Sequence, residues 1–242
     1  MTERLILLPG WGLDGALLQP LAQALGDTLQ AEIAPLPRLT TADPNAWLDE
    51  LEARLPSDCW LAGWSLGGML ASALAARRGA RCRGLISLAS NACFVAREDW
   101  LSAMPADTYA AFHAGCEATP AATLKRFALL CAQGAADARG LSRQLQAHLQ
   151  THADEHLLAG LEVLARLDNR NALASYAGPQ LHLLAEQDAL VPAAAGEALL
   201  ALLPAGEVDV LEGCSHGFVL EQPASLAALM LDFICEAHDG DL

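Results

Sequence analysis

Cys59-Trp60-Leu61-Ala62-Gly63-Trp64-Ser65-Leu66-Gly67-Gly68 begins as an uninterrupted apolar run and ends on glycines that flank a single serine. The run over 59–63 has the length of a buried strand. From Gly68 to Arg78 the pattern turns helical, and Gly79 supplies a stop. A strand that passes into a helix through Gly-x-Ser-x-Gly is the setting of a nucleophile elbow. The flanking glycines let helix and strand pass at close range, and the serine stands at the carboxyl edge of a sheet. The five-residue pattern alone is only moderately specific, and its strand-turn-helix setting is what raises it.

Outward from the elbow, short Leu/Ile/Val-rich runs over 4–8, 30–34, 85–89, 181–185 and 207–211 read as further strands, separated by Ala/Leu-rich helical segments. That alternation predicts an α/β fold with a mostly parallel sheet of about six strands and helices on both faces. The gap from about 90 to 180 is too long for one crossover helix. It predicts a helical cap inserted at about 100–175 into a single domain spanning 1–242. Helices are expected there over 106–116, 121–132, 137–149 and 154–167, with Pro105, Pro120 and Asp154 as starts and the Gly134 region as a break.

Composition narrows the function classes. The 242 residues are 53% hydrophobic, 18% charged and 5% aromatic, enough apolar content for a substantial core, which excludes a disordered tail, a collagen-like repeat or a small disulfide scaffold. Fourteen Lys and Arg against 29 Asp and Glu give a net charge of −15, a field that repels nucleic acid and anionic membranes. Cysteines at 59, 82, 93, 116, 131, 214 and 235 form no CxxC zinc or redox pair, which fits the reducing cytoplasm. The apolar run Leu5 to Leu8 stops at Pro9-Gly10, too short for a signal-peptide core, and no apolar stretch approaches the roughly 20 residues of a membrane helix. A cytoplasmic, soluble monomer is expected.

A serine hydroxyl requires a base, and the base requires a carboxylate that holds its tautomer. Asp188 lies in Leu184-Ala185-Glu186-Gln187-Asp188-Ala189-Leu190, just past one expected strand, and His216 lies in Gly213-Cys214-Ser215-His216-Gly217, just past the last. Three elements ending at one sheet edge, in the order Ser65, Asp188, His216, make a coherent triad. Glu186 and Asp168 stand as alternative orienting acids, while Asp209 sits inside the last expected strand. His182 reads as a packed or edge strand residue and His238 as solvated, Ser72, Ser87 and Ser90 lack an elbow, and Cys93 reads as a small buried hydrophobe. The developing oxyanion needs donors, which the elbow supplies as the Leu66 N–H and the Pro9-Gly10-Trp11-Gly12 loop as the Trp11 N–H. This chemistry requires no metal and no cofactor. His148, His152 and His156 share a face only on an unbroken helix, so a solvated face outweighs a metal site there.

With these residues in place, the chain resembles the pimeloyl-(acyl-carrier protein) methyl ester esterase family of biotin synthesis, a branch of the α/β-hydrolase superfamily. The resemblance spans nearly the whole chain. It is carried by Gly10-Trp11-Gly12-Leu13, Gly63 to Gly68, Ala89-Ser90 to Cys93-Phe94, Ala96-Arg97 to Trp100 and Arg126-Phe127-Ala128-Leu129. It departs in starting close to the first core strand, in Pro9 where His is common, and in Leu36-Pro37-Arg38, which lacks a glycine-rich continuation. The resemblance implies the triad Ser65, Asp188 and His216, an oxyanion held by Trp11 and Leu66, and an acyl chain that contacts Phe127, Ala128, Leu129, Leu130 and Cys131. It also implies that basic cap residues meet an acyl-carrier protein. On the residues themselves, Leu124, Phe127, Ala128 and Cys131 follow one apolar face, which suits either core packing or an acyl channel. Between 121 and 152, Lys125, Arg126, Arg139 and Arg143 stand against Asp137 alone, a local excess that suits an acidic carrier at Arg126, Arg139 and Arg143. The expected activity is hydrolysis of the methyl ester of pimeloyl-acyl-carrier protein to methanol. A general small-molecule carboxylesterase and a non-catalytic ligand-binding relative are the alternatives, and a haloalkane dehalogenase is disfavoured because that chemistry uses a carboxylate at the elbow.

Overall fold

The computed structural model describes residues 3–150 and 155–239, so His152 and the expected helix start Asp154 lie outside the described residues. Six strands, β1 (Glu3–Leu8), β2 (Leu29–Ile33), β3 (Cys59–Trp64), β4 (Cys82–Leu88), β5 (Gln180–Ala185) and β6 (Glu207–Leu211), form one sheet in the order β2-β1-β3-β4-β5-β6. Every pairing is parallel. Burial follows position. All residues of β3 and β5 are buried, as strands covered on both faces must be, whereas the edge strands β2 and β6 alternate.

Helices α1 (Gln19–Ala24), α2 (Pro44–Arg54) and α3 (Leu66–Arg78) connect the first four strands. Between β4 and β5 lies an insert of α4 (Ala106–Ala118), α5 (Pro120–Ala132), α6 (Ala138–Ala147), α7 (Glu155–Arg166) and α8 (Arg170–Ser175). After β5 come α9 (Ala195–Leu202), α10 (Phe218–Glu221) and α11 (Pro223–Asp239). Trp60 leaves one face of β3 to meet Phe233 of α11 edge-on, and its ring fills the space over Gly84 of β4. Gly63, on the opposite face by strand alternation, lies against α3. Helices therefore cover both faces. No helix among the described residues is long and apolar enough to cross a membrane.

Two elements differ from expectation. β4 starts at Cys82, three residues early and ahead of the exposed Arg83, whose charge breaks the apolar run and pairs with Glu3. It ends where Ala89 takes φ +47°. The short helix α8 carries no readable period, and Leu173 is its only buried residue. Tertiary bonds hold its start: Asn169 donates its backbone N–H to Ala92 O (2.8 Å) and its side-chain amide to Met69 O (2.8 Å).

Of the packed and edge positions open to His182, the structure gives it the packed one. It sits in register with Ser87, whose Oγ lies 2.7 Å from Nδ1, and burial pushes the imidazole pKa down to about 4. In the unfolded chain the ring titrates near about 6.5. The unfolded state therefore takes up the proton first, so stability is complete above about pH 6.5 and falls as pH drops towards about 4. The expected loss is about 3 kcal/mol at the acid end. Urea midpoints across this range should fall less steeply for His182→Leu than for the wild type; parallel slopes would refute the assignment.

Candidate active site

The chain order reverses between β1 and β3, and the crevice outside their carboxyl ends is where open α/β sheets bind ligands. Ser65 occupies that point between β3 and α3 with φ +56° and ψ −121°, a conformation that L-residues enter only under constraint and at a cost of about 1–3 kcal/mol. The constraint is visible. The Ser65 N–H donates to Leu88 O (2.9 Å), and its carbonyl accepts from the Gly68 and Met69 N–H groups (3.0 and 3.1 Å) and from Ser90 Oγ (2.7 Å). Side chains at Gly63 or Gly67 would collide, the first with the backbone of Gly67 and Gly68, the second with the carbonyls of Leu8 and Pro9. Gly68 leaves room for Ser90 Oγ. Ser90, which lacks an elbow of its own, is thus the residue that clasps the elbow. Only the folded chain shows this, because β4 brings it there from 25 positions away.

The loop after β1 crosses the elbow. A Cβ on Gly10 would lie 2.7 Å from the Trp64 ring and 3.3 Å from Ser65 Cβ. Trp11, next in the chain, anchors its indole N–H on Leu157 O (2.7 Å) and sets its ring edge-on to Phe112 and Phe127, with centroids 5.7 and 5.1 Å away. Leu66 opens α3, where first-turn N–H groups have no partner within the helix.

Asp188 and His216 meet from the loops after β5 and β6. Asp188 Oδ1 accepts from the N–H groups of Leu190 (2.7 Å) and Val191 (2.9 Å), which leaves Oδ2 for His216 Nδ1 at 2.7 Å, and both side chains are fully buried. A carboxylate at Nδ1 selects the tautomer with its proton there, so Nε2 carries the lone pair. Nε2 is buried and has no hydrogen-bond partner among the described residues. The His216 carbonyl accepts from the Trp64 indole (2.9 Å), and the two rings lie 5.2 Å apart, which ties the imidazole to the residue preceding Ser65. On the far side of the histidine, the N–H and hydroxyl of Ser215 donate to Glu221.

The alternative acids and Asp209 are engaged elsewhere. Glu186 accepts from Gly213 N–H (2.9 Å), Asp209 from Val210 N–H (2.8 Å), and Asp168 is gripped by Arg170, which holds its carboxyl far below the usual range. Cys93 is buried beside Asp168, and burial pushes its thiol up to about 11, so it is an inert thiol. Among the described residues no group of three His, Cys, Asp or Glu side chains is placed to hold a metal ion. His148 lies beside Asp14, and His156 lines a small pocket that Trp11 and Leu66 also line.

A cavity of about 90 Å³ adjoins these loops, walled by Trp11, Phe94, Phe112, Phe127, Leu130 and Leu190, with Arg126 the charged residue in its lining. Of the five α5 residues implied as acyl contacts, Phe127 and Leu130 reach it. Ala128 and Cys131 are buried but line no part of this cavity, and Leu129 is 57% exposed. The helical turn of about 100° per residue puts 129 on the side away from 127 and 130, while Ala128 and Cys131 are buried against other parts of the fold. Lys125, Arg126, Arg139 and Arg143 are exposed, while Asp137 is spent capping α6 through Gly140 N–H (2.9 Å).

The profile of the alpha/beta hydrolase family matches residues 5–229. A biotin biosynthesis bifunctional protein from Cellvibrio japonicus is 40% identical over 95% of this chain, which spans only 47% of that relative's length. The pimeloyl-(acyl-carrier protein) methyl ester esterase of Aeromonas hydrophila is 34% identical, with 95% of this chain and 94% of the relative covered. Among solved structures, an esterase from Exiguobacterium antarcticum superposes with a TM-score of 0.80 at 17% identity, over 96% of this chain and 91% of that one. This chain belongs to the alpha/beta hydrolase family, in the branch that holds the pimeloyl-(acyl-carrier protein) methyl ester esterases.

Proposed function

We propose that this chain is a serine carboxylesterase that hydrolyses the methyl ester of pimeloyl-acyl-carrier protein to the free acid and methanol, in biotin synthesis. The observation that carries this reading is the fully buried Asp188–His216 pair beside the strained Ser65 elbow, next to an apolar cavity with a cation in its lining. His216 Nε2 takes the hydroxyl proton as Ser65 Oγ bonds to the ester carbonyl carbon, and Asp188 stabilises the imidazolium. The N–H groups of Trp11 and Leu66 hold the oxyanion. The carbon–oxygen bond to the methoxy group breaks, and His216 returns the proton so that methanol leaves. Water then attacks the acyl-Ser65, gives a proton to His216, and Ser65 recovers it as the acid departs. No step passes through a metal or cofactor.

The chain works as a cytoplasmic monomer and as one domain, 1–242, with the insert at about 100–175 as its cap. Phe127 and Leu130 bear on the acyl chain, and the exposed Arg126, Arg139 and Arg143 receive the acidic carrier. The present cavity of about 90 Å³ is far below the several hundred Å³ of typical small-molecule sites, so entry of a pimeloyl chain requires it to widen. That small volume favours a second reading, an esterase of short free esters.

One experiment divides the two. Methanol release from carrier-bound methyl pimeloyl ester should fall about tenfold in kcat/KM with Arg139→Glu and Arg143→Glu together, and should fall with added salt, while a free methyl ester is turned over at an unchanged rate. Equal rates on both substrates in both proteins would leave the short-ester reading standing. Failure to release methanol from the carrier-bound ester would sink the proposed substrate.

A further inference from the structure

The turn between α5 and α6 is seated on both loops that carry the proton-handling residues, and it reaches them through glycines. Gly134 follows α5 with φ +93°, and a Cβ there would lie 2.5 Å from both the Cβ and the carbonyl oxygen of Gln187, the residue before Asp188. Gly217, the residue after His216, donates its N–H to Cys131 O at 2.9 Å, in the last turn of α5. A Cβ on Gly217 would lie 2.8 Å from Leu141 Cδ2 of α6 and 3.3 Å from Cys131 O. Gly217 has an ordinary φ of −80°, so glycine is required there for space and not for conformation.

The two loops are also tied to each other and to the core. Gln187 N–H donates to Cys214 O (2.9 Å), and the Trp64 indole holds the His216 carbonyl from the side of β3. Asp188 and His216 are therefore clamped between Trp64 and the α5–α6 turn. Gly134 packs so closely on Gln187 that an added Cβ would meet both its Cβ and its carbonyl, so the turn bears on the residue that precedes the carboxylate.

We propose that Gly134 and Gly217 are positioning residues, through which the α5–α6 hairpin sets the separation and orientation of Asp188 and His216. This rests on the triad of the proposed function but not on its substrate. It assigns the buried Cys131 of α5 a role other than contact with the acyl chain: its carbonyl orients the histidine loop.

The test uses the full chain with Gly134→Ala, Gly217→Ala, Leu141→Ala and the Gly217→Ala/Leu141→Ala pair. p-Nitrophenyl acetate turnover, labelling of Ser65 by a fluorophosphonate probe, thermal melting and the low-field proton resonance of the Asp188–His216 hydrogen bond are the readouts. A misplacement of about 1 Å costs up to about a hundredfold, so kcat and labelling rate should fall about tenfold to a hundredfold in either glycine variant, with KM little changed and the low-field resonance shifted or lost. Leu141→Ala should restore most of the rate to Gly217→Ala, because it removes the closest contact of the new methyl and leaves only the looser one with Cys131 O. If Gly134→Ala does not fold, the Gly217 pair decides alone. Wild-type kcat and an unmoved resonance alongside a lowered melting temperature would overturn the proposal and leave the glycines a packing role only. Turnover of p-nitrophenyl acetate by Ser65→Ala would instead indict the triad, and absence of methanol release from the carrier-bound ester would indict the substrate alone.

Discussion

Ser65→Ala should lower kcat by about a millionfold on the carrier-bound methyl ester and on simple aryl esters alike, the scale seen when the nucleophile is removed from other serine hydrolases. The variant should remain folded. Both backbone groups of residue 65 stay bonded, the N–H to Leu88 and the carbonyl to Gly68, Met69 and Ser90, so the elbow is held by contacts that do not use the hydroxyl. Alanine also meets the same strain as serine at φ +56°. The loss is thus chemical and not structural, and kcat measured beside a melting curve separates the two. Retention of more than about a hundredth of the rate would remove Ser65 as the nucleophile.

Asp188→Asn should come next, with a fall in kcat of about ten-thousandfold and little change in KM. Oδ1 of Asp188 is committed to the N–H groups of Leu190 and Val191, so the asparagine oxygen takes that side and its amide nitrogen faces His216 Nδ1. A donor there demands the tautomer with its proton on Nε2, which leaves no lone pair to accept the hydroxyl proton. The neighbouring Glu186 is no replacement, because its carboxylate is turned outward to Gly213. Labelling of Ser65 by a fluorophosphonate should slow in step with kcat, and a variant that labels at the wild-type rate would exclude Asp188 from the relay.

Leu129 and Ser90 show where a reading of the chain stops. Leu129 falls inside the apolar segment Phe127 to Cys131, but the helix turns it into solvent, and the face of α5 is set by the neighbours that α4 and α6 supply. Ser90 carries no local motif at all. Its hydroxyl matters because β4 lies beside β3, which places it under the Ser65 carbonyl. The same holds for α8, too short for a period, and for the choice of Asp188 over Glu186, since both lie in one loop and only the turn geometry decides which carboxylate points inward.

Local chemistry was enough for the rest. Strand-length apolar runs and the glycines of the elbow determine an α/β sheet with Ser65 at the turn after β3, and they place Asp188 and His216 in the loops after β5 and β6, because strand burial and turn conformation are properties of short segments. Tertiary structure alone decided what those side chains touch. The partner of a carboxylate, the buried side of a helix and the closeness of Gly134 to Gln187 depend on which elements become neighbours in space, and contacts between residues far apart in the chain have no signature in either stretch by itself.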